Sequence, residues 1–381
     1  MKILFTVEFY NPNTGGAQEV VKQLAERLVK VGHDVWVATT FLPQRKGMKE
    51  INGVKIKEFK ISGNLVRGIN GDKKEIGRYQ EFLKNDFNIL VNYAAQIWTT
   101  DLLFDVLDKI KSKKILIPCG YSGLKVPSYK NYFDKLPEYL KKYDKLIYMS
   151  PDYQDKKFGD ETGVRDKAVI VPNGAAEDEF LTADNFNIRQ RLGIKTPYLI
   201  IDVSNHYRDK GHRFVIEAFK KMERKDATLL IVGNVPSAGA KKFAHILRGC
   251  YKTCYLNSLL DKNIRIVNGK NRQLVLSAYK SASLFLFGSQ IECAPLVMYE
   301  SFASKTPFIT TEVGNVKDHK EYLKIVKTPK EMALVANKLL DNDAARKELA
   351  NKAFLLWENG HTWNKITDLY EKLFKELVYG E

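Results

Sequence analysis

The chain has 381 residues, of which 44% are hydrophobic and 28% are charged, a composition that supports sizeable cores and excludes a disordered or fibrous protein. Four cysteines are too few for a disulfide-stapled secreted scaffold, and no apolar run approaches the roughly 20 residues of a membrane-spanning helix. The net charge of +16 favours anionic partners such as nucleotides, nucleic acid or a membrane surface. The N-terminus shows no apolar leader, so we expect a cytoplasmic protein that can associate with the inner face of the cell membrane.

The first half of the chain alternates short apolar runs with helical patterns. A strand at residues 2–8 precedes a helix with Val20, Val21, Leu24 and Leu28 on one face. Further strands are predicted at residues 35–39, 54–59, 89–91, 115–117, 146–149 and 168–171. Strands that alternate with helices indicate a parallel sheet covered on both faces.

A turn at Pro172-Asn173-Gly174 opens a polar linker with one short helix at residues 188–192, and a second alternation follows. It predicts strands at residues 198–203, 228–232, 264–267, 284–287 and 307–310, and helices at 212–222, 272–280, 296–303, 329–340, 344–359 and 363–378. The fold class is therefore α/β, with two Rossmann-like doubly wound domains facing each other across a cleft. The expected domains are residues 1–180 and 181–360, with a C-terminal helix at 361–381 that packs back on the first domain.

Two loops offer groups for binding an anion. Gly15-Gly16 precedes the first helix, where free N–H groups and close backbone approach suit a phosphate, although a plain tight turn explains the same glycines. The run from Asn205 to His212 follows the first strand of the second half and contains Arg208 and Lys210. Cations at a strand end can neutralise phosphates, whereas the alternative is a solvated basic loop.

The strongest pattern is Glu292 and Glu300, eight residues apart, after the strand at residues 284–287. Pro295 suits the first helical position, and Glu300 then lies little more than one turn inside the helix. Helical side chains lean towards the N-terminus, so Glu300 can reach back to the loop that holds Glu292. The N–H groups of Leu296 and Val297 favour a phosphate between the two carboxylates.

The order and spacing of these motifs resemble those of the family 4 retaining glycosyltransferases of GT-B architecture, over nearly the whole chain. The segments that carry the resemblance are KILFTVEFYNPNTGGAQEVVKQLAERLVKVGHDVWVAT, IVPNGAAEDEF, DKGHRFVIEAF and ECAPLVMYESFASKTPFITTEVGN. The last contains the family's E-x7-E element.

The resemblance implies that Lys210 and Glu292 are the catalytic residues, with Lys210 on the donor diphosphate and Glu292 on the transferred sugar. It implies a donor-binding set of Gly16, Asn205, Arg208, Lys210, Gly233, Asn234, Ala294, Pro295, Leu296, Val297 and Glu300, the last on the ribose hydroxyls. It also implies a nucleotide-diphosphate sugar, UDP- or GDP-linked, as substrate, with no cofactor and no metal.

Three positions depart from the family pattern. Asn205 stands where the family usually has an arginine, Pro118-Cys119-Gly120 where a histidine often follows the strand, and Pro295 where a glycine is frequent. The acceptor, expected to be a glycan or lipid-linked glycan, is assigned to Tyr93, Gln96, Trp98 and Cys119, although a core or rim role fits the aromatic residues equally.

Other features leave alternatives open. An amphipathic basic helix at residues 241–260 would either lie on an anionic membrane or face the core. His206 and His212 have no carboxylate or cysteine partner at ligand spacing, and Cys250 and Cys254, one helical turn apart, have only His245 nearby, so no metal site is predicted. Trp357 and Trp363 are expected to pack on the first domain.

The main prediction is a metal-independent hexosyltransferase of cell-surface polysaccharide synthesis. A GT-B sugar-nucleotide 2-epimerase, expected to lack E-x7-E, and a basic module that binds RNA or anionic membrane are the alternatives. No nucleic-acid partner is expected, because no RNA-binding signature is present.

Overall fold

The computed structural model describes residues 1–13, 15–183, 186–235 and 250–380. The chain forms two compact units. Unit 1 consists of Met1–Asn173 together with Trp363–Glu381, and unit 2 consists of Gly174–Thr362. None of the helices in the described residues is both long and apolar enough to cross a membrane.

Unit 1 is built on an eight-stranded sheet whose central strands are buried apolar runs. In chain order its strands are β1 (Lys2–Thr6), β2 (Asp34–Thr40), β3 (Glu50–Ile51), β4 (Val54–Phe59), then, after a hairpin of β5 (Ser62–Asn64) and β6 (Gly68–Asn70), β7 (Ile89–Tyr93), β8 (Lys113–Ile117), β9 (Lys145–Tyr148) and β10 (Ala168–Ile170). The strand order is β10-β9-β8-β7-β1-β2-β4-β3. All neighbours are parallel except β3 and β4, as expected for strands connected by crossover helices.

The helices of this part of unit 1 are α1 (Gly16–Lys30), α2 (Lys73–Leu83), α3 (Trp98–Asp101), α4 (Lys130–Leu140) and α5 (Gln154–Glu161). Their apolar faces cover the sheet. Val20, Val21, Leu24 and Leu28 of α1 are all buried, which confirms the helical face predicted from their spacing.

Unit 2 is a second parallel sheet with helices on its faces. Its strands are β11 (Tyr198–Val203), β12 (Ala227–Val232), β13 (Ile264–Val267), β14 (Leu284–Phe287), β15 (Phe308–Thr311) and β16 (Lys324–Val326), in the order β13-β12-β11-β14-β15-β16. Its described helices are α6 (Glu177–Phe180), α7 (Ile188–Arg191), α8 (His212–Lys221), α9 (Tyr251–Leu260), α10 (Arg272–Ser281), α11 (Leu296–Ala303), α12 (Pro329–Asp341) and α13 (Asp343–Gly360). Because β11 lies between β12 and β14, the loops that follow these three strands are neighbours.

The last helix, α14 (Trp363–Tyr379), returns to unit 1 and packs along α1. Arg27 Nε donates to Asn364 Oδ1 at 3.0 Å. Trp357, in contrast, belongs to unit 2. Its side chain is fully buried in the core of that unit and donates its indole N–H to the Ala175 carbonyl at 3.2 Å. The expectation that Trp357 packs on the first domain is therefore wrong, because its helix ends before the chain changes unit.

Of the helix predicted at residues 241–260, residues 241–249 lie outside the described residues. In the described part, Cys254 is fully buried, whereas Leu259 and Leu260 are 65% and 83% exposed. Helix α9 therefore packs one side on unit 2 and presents leucines to solvent.

The loops after β11 and β14 touch through two glycines. Gly211 has a φ of +68°, and a Cβ at this position would collide with the carbonyl oxygen of Gly288. Gln290 N–H donates to the Asp209 carbonyl at 2.8 Å, and the Ser289 hydroxyl oxygen lies 3.1 Å from the same carbonyl oxygen. The two loops thus form one packed backbone layer.

We expect Gly211→Ala to lower the free energy of unfolding by at least about 2 kcal/mol, because it combines a left-handed backbone with a collision against a neighbouring chain segment. The matched control is Gly77→Ala in α2, where an added Cβ meets nothing within 4 Å. This control should leave stability unchanged or raise it by up to about 1 kcal/mol. Urea unfolding of both variants measures the difference, and equal stability of the two would contradict the described loop contact.

Candidate functional site

The candidate site lies at the carboxyl edge of the unit 2 sheet. Strands β11, β12 and β14 are adjacent and parallel, so the residues that follow them emerge at one edge, where open α/β sheets bind ligands. These segments are residues 204–211, 233–235 and 288–295.

The structure brings Lys210 and Glu292 into direct contact. Lys210 Nζ lies 2.6 Å from Glu292 Oε1, and the Ser289 hydroxyl donates to the same carboxylate oxygen at 2.7 Å. Both side chains remain accessible, since Lys210 is 30% and Glu292 13% exposed. An ammonium held on a carboxylate at a sheet edge offers one anion-binding and one hydroxyl-accepting group side by side.

Asn205 connects two of the loops. Its side-chain oxygen accepts the Asn234 N–H at 3.1 Å, and the Asn234 carbonyl accepts the His206 N–H at 3.0 Å. Gly233 lets the loops approach, because a Cβ there would collide with the Ser204 carbonyl oxygen. The Asn205 side-chain oxygen therefore positions the loop backbone. An arginine at this position could not accept this hydrogen bond, because its side chain has only donors. Arg208 is exposed.

The segment Ala294–Val297 leads into α11. Pro295 has φ −66° and ψ 120° and is the capping residue before the helix, so the predicted placement of Pro295 at the first helical position is wrong by one residue. Leu296 and Val297 occupy the first two helical positions, whose N–H groups have no carbonyl one turn earlier to bond. These N–H groups and the positive end of the helix dipole form an anion-binding end.

Glu300 is held inside unit 2 by two donors. Arg272 Nη2 contacts Glu300 Oε1 at 2.7 Å, and the Tyr279 hydroxyl donates to Oε2 at 2.8 Å. Arg272 also pairs with Glu179 at 2.5 Å. Burial, reinforced by the Glu300 carboxylate, raises the pKa of Tyr279 well above its ordinary value, so this phenol stays protonated and donates.

Arg272 and Tyr279 are neighbours of Glu300 that the sequence interpretation missed. Both belong to α10, and Arg272 opens it after Asn271, whose side chain accepts from the N–H groups of Gln273 and Leu274. The sequence could have indicated Arg272 as a candidate, because it is a cation at the first position of a capped helix that follows a strand. Its partner in α11 could not be identified from spacing.

The remaining predicted residues lie in unit 1. Gly16 is the first residue of α1, and its role toward a diphosphate stays a prediction. Tyr93 is 1% and Gln96 9% exposed, and Gln96 Oε1 accepts the Gly123 N–H at 3.2 Å. Trp98 is fully buried and donates its indole N–H to Thr40 Oγ1 at 2.8 Å. Trp98 is therefore a core residue of unit 1, one of the roles that the sequence left open, and its contact with an acceptor sugar stays a prediction.

Cys119 follows β8 with a φ of +61°. Burial is the main cause that raises the pKa of its thiol to about 12. The neighbouring Gly120 N–H donates to Asp155 Oδ2 at 2.8 Å, and burial raises the pKa of Asp155 to about 6. The Cys119 thiol is thus protonated at neutral pH, and its assignment to the acceptor stays untested.

One group of possible metal ligands was not indicated by spacing in the sequence. The side chains of His206, His212, Cys250 and Cys254 meet in unit 2, with their ligand atoms all within 4.8 Å of one another. The spacing rule failed because the histidines and cysteines come from separate segments joined only by the fold.

Comparison with known proteins bears on the fold and on the class of enzyme. Residues 184–355 match the family model described as glycosyl transferases group 1. Over 399 aligned positions the chain is 23% identical to the uncharacterized glycosyltransferase MJ1069 of Methanocaldococcus jannaschii, covering 99% of each chain.

Two solved structures share the fold over the full length. Sucrose-phosphate synthase from Thermosynechococcus elongatus matches with a TM-score of 0.79 at 16% identity, covering 100% of both chains. The Anabaena protein Alr3699/HepE, solved in complex with UDP-glucose, matches with a TM-score of 0.77 at 13% identity, covering 99% of this chain and 100% of that one. The chain is thus similar to glycosyl transferases group 1 over residues 184–355, and it is a glycosyltransferase with the GT-B fold.

Proposed function

We propose that the protein transfers a sugar from a nucleoside-diphosphate sugar to a hydroxyl of a glycan or lipid-linked glycan, with retention of anomeric configuration. The observation that carries the proposal is the contact of Lys210 Nζ with Glu292 Oε1 at 2.6 Å. This contact joins the two loops that lead into the N-termini of α8 and α11.

The difficult step of such a transfer is departure of the nucleoside diphosphate from the anomeric carbon. Negative charge develops on the leaving phosphate, and preorganised cations and N–H groups lower the barrier by stabilising it. In this proposal Lys210 binds the diphosphate, and the N–H groups of Leu296 and Val297 bind it from the helix end. Because these groups supply the positive charge, the proposed reaction needs no added Mg²⁺ or Mn²⁺.

The two glutamates bind opposite ends of the donor. Glu292 accepts hydroxyl groups of the transferred sugar next to Lys210, and Glu300 accepts the ribose hydroxyls. A carboxylate has about four acceptor positions, and Arg272 and Tyr279 each occupy one of those on Glu300. The rest remain for a diol, and the two donors fix the direction in which the carboxylate points.

The proposed nucleotide is UDP, by analogy with the UDP-glucose complex of the Anabaena protein. The proposed acceptor class is supported by the net charge of +16, which favours anionic glycans and peripheral association with an anionic membrane. The exposed leucines of α9 are compatible with such a surface.

Thermal unfolding with UDP-, GDP-, ADP- and TDP-sugars, without added divalent cations, tests the donor. We expect UDP-sugars to raise the midpoint selectively, since a ligand at 100 times its dissociation constant adds about 2.7 kcal/mol of stability. An equal response to all nucleotides, or to none, would contradict the proposed UDP site.

Replacement of Lys210 tests the leaving-group contact. Lys210→Met keeps most of the side-chain volume but removes the charge, and we expect kcat to fall by about 10²–10³, the usual cost of losing one preorganised transition-state contact. Lys330→Met is the matched control, because Lys330 is exposed in α12. Steady-state hydrolysis or transfer of the UDP-sugar measures the effect, and a Lys210→Met enzyme as fast as the control would refute the role.

Replacing the two glutamates should affect different properties, UDP affinity for Glu300 and the rate of transfer for Glu292. Glu300→Gln should weaken UDP binding by about tenfold or more, since a hydrogen bond to a charged group contributes roughly 1.5–3 kcal/mol. Glu292→Gln should leave UDP affinity unchanged and lower the rate of transfer, because its partner is the sugar. Calorimetric titration with UDP and an activity assay give the two readouts.

Two further variants serve as a control and as a comparison for that result. Glu358→Gln, exposed in α13, should change neither property. Tyr279→Phe removes one donor to Glu300 without touching the nucleotide, so its loss of UDP affinity should be smaller than that of Glu300→Gln. If Glu300→Gln bound UDP like the wild type while retaining its thermal stability, Glu300 would be a structural residue only.

A further inference from the structure

A buried cluster of two histidines and two cysteines lies within unit 2. His206 follows β11, His212 is the first residue of α8, Cys250 immediately precedes α9, and Cys254 lies one helical turn further. Their ligand atoms all lie within 4.8 Å of one another. His206, His212 and Cys254 are at most 1% exposed and Cys250 is 8% exposed. The possible ligand atoms therefore converge on a point that is shielded from water.

The distances within the cluster approach those of a tetrahedral metal site. His212 Nδ1 lies 3.0 Å from Cys250 Sγ, and His206 Nδ1 lies 3.7 Å from the same sulfur. With Zn–N bonds of about 2.0 Å and Zn–S bonds of about 2.3 Å, tetrahedral ligand atoms are about 3.3–3.8 Å apart. The spacing of four residues between the cysteines places both sulfurs on one face of a helix.

The surroundings of His212 match the second shell of a metal-binding histidine. Its Nε2 lies 2.7 Å from Ser204 Oγ and 3.4 Å from Asp202 Oδ1, and Ser204 Oγ donates to that carboxylate oxygen at 2.7 Å. Metal-binding histidines commonly direct their other ring nitrogen to a carboxylate, which fixes the tautomer and the ring orientation. With the proton on Nε2, the lone pair of Nδ1 is directed at the cluster.

His206 supplies an independent indication. Its side chain is 1% exposed, and Nε2 has no hydrogen-bond partner among the described residues. Its other ring nitrogen makes only the long contact with Cys250 Sγ within the described part of the chain. A buried imidazole without strong hydrogen bonds costs folding free energy. A metal bond to Nδ1, the nitrogen next to Cys250 Sγ, would replace this weak contact with a strong one.

We propose that His206, His212, Cys250 and Cys254 bind one Zn²⁺ ion. Two thiolates with two imidazoles in a tetrahedral arrangement are a set that selects zinc among the common divalent ions, and four protein ligands make the site structural. Binding deprotonates both thiols and releases their protons. The ion connects α9 to the loop that carries Lys210, so it stabilises the backbone of that loop and takes no part in sugar transfer.

Metal analysis of the full chain, purified without a polyhistidine tag after growth with zinc, tests the proposal. We expect about one zinc per chain in the wild type and in the matched control Cys119→Ser/Cys293→Ser. The Cys250→Ser/Cys254→Ser variant should lose it. Zinc retained by this variant, or a wild type that contains none and takes up none on reconstitution, would overturn the proposal.

A spectroscopic titration keeps the test decisive if the cysteine variant fails to fold. Zinc-free wild-type protein titrated with Co²⁺ should develop thiolate-to-cobalt charge-transfer absorption at one equivalent, which Zn²⁺ then abolishes. Asp202→Asn should weaken the metal affinity by about 10–100-fold while preserving the absorption, as loss of a second-shell carboxylate does. Absence of a thiolate band in the folded wild type would refute the site, whatever the outcome of the donor-binding experiments.

Discussion

The contact between Gly211 and Gly288 is the constraint on which the site in unit 2 depends. A side chain at Gly211 would collide with the Gly288 carbonyl oxygen, so the loops after β11 and β14 approach only as bare backbone. That approach allows Lys210 to reach Glu292 at 2.6 Å. Two long charged side chains then meet with little freedom, which lowers the entropic cost of holding them in position.

A second constraint fixes Glu300. A carboxylate that is 8% exposed needs hydrogen-bond donors, because burying it without partners costs folding free energy. Arg272 and Tyr279 meet that requirement and also orient the carboxylate. Their own helix is anchored by the Asn271 cap. The two glutamates of the E-x7-E element are thus positioned by different parts of unit 2, one by a loop and one by a neighbouring helix.

The sequence supported prediction of the long elements and of the sheet edge at which Lys210 and Glu292 lie. Buried parallel strands such as β11 and amphipathic helices such as α1 have strong periodicity, and their bounds agree with the structure within a few residues. The β5–β6 hairpin and β16 were not predicted. Each of their strands has only three residues, too few to show a period. The core position of Trp98 could not be decided from the sequence, because burial depends on tertiary packing.

The histidine–cysteine cluster shows the same limit for chemistry. His212 and Cys250 are 38 positions apart, and neither segment resembles a metal motif alone. Only the parallel sheet brings α9 next to the loop after β11. That loop carries Lys210 near the candidate donor site. It also carries His206 of the buried cluster, and His212 follows it as the first residue of α8. Since a metal bond at His206 would restrict the residues between it and Gly211, the cluster would stabilise the same loop geometry that the two glycines impose.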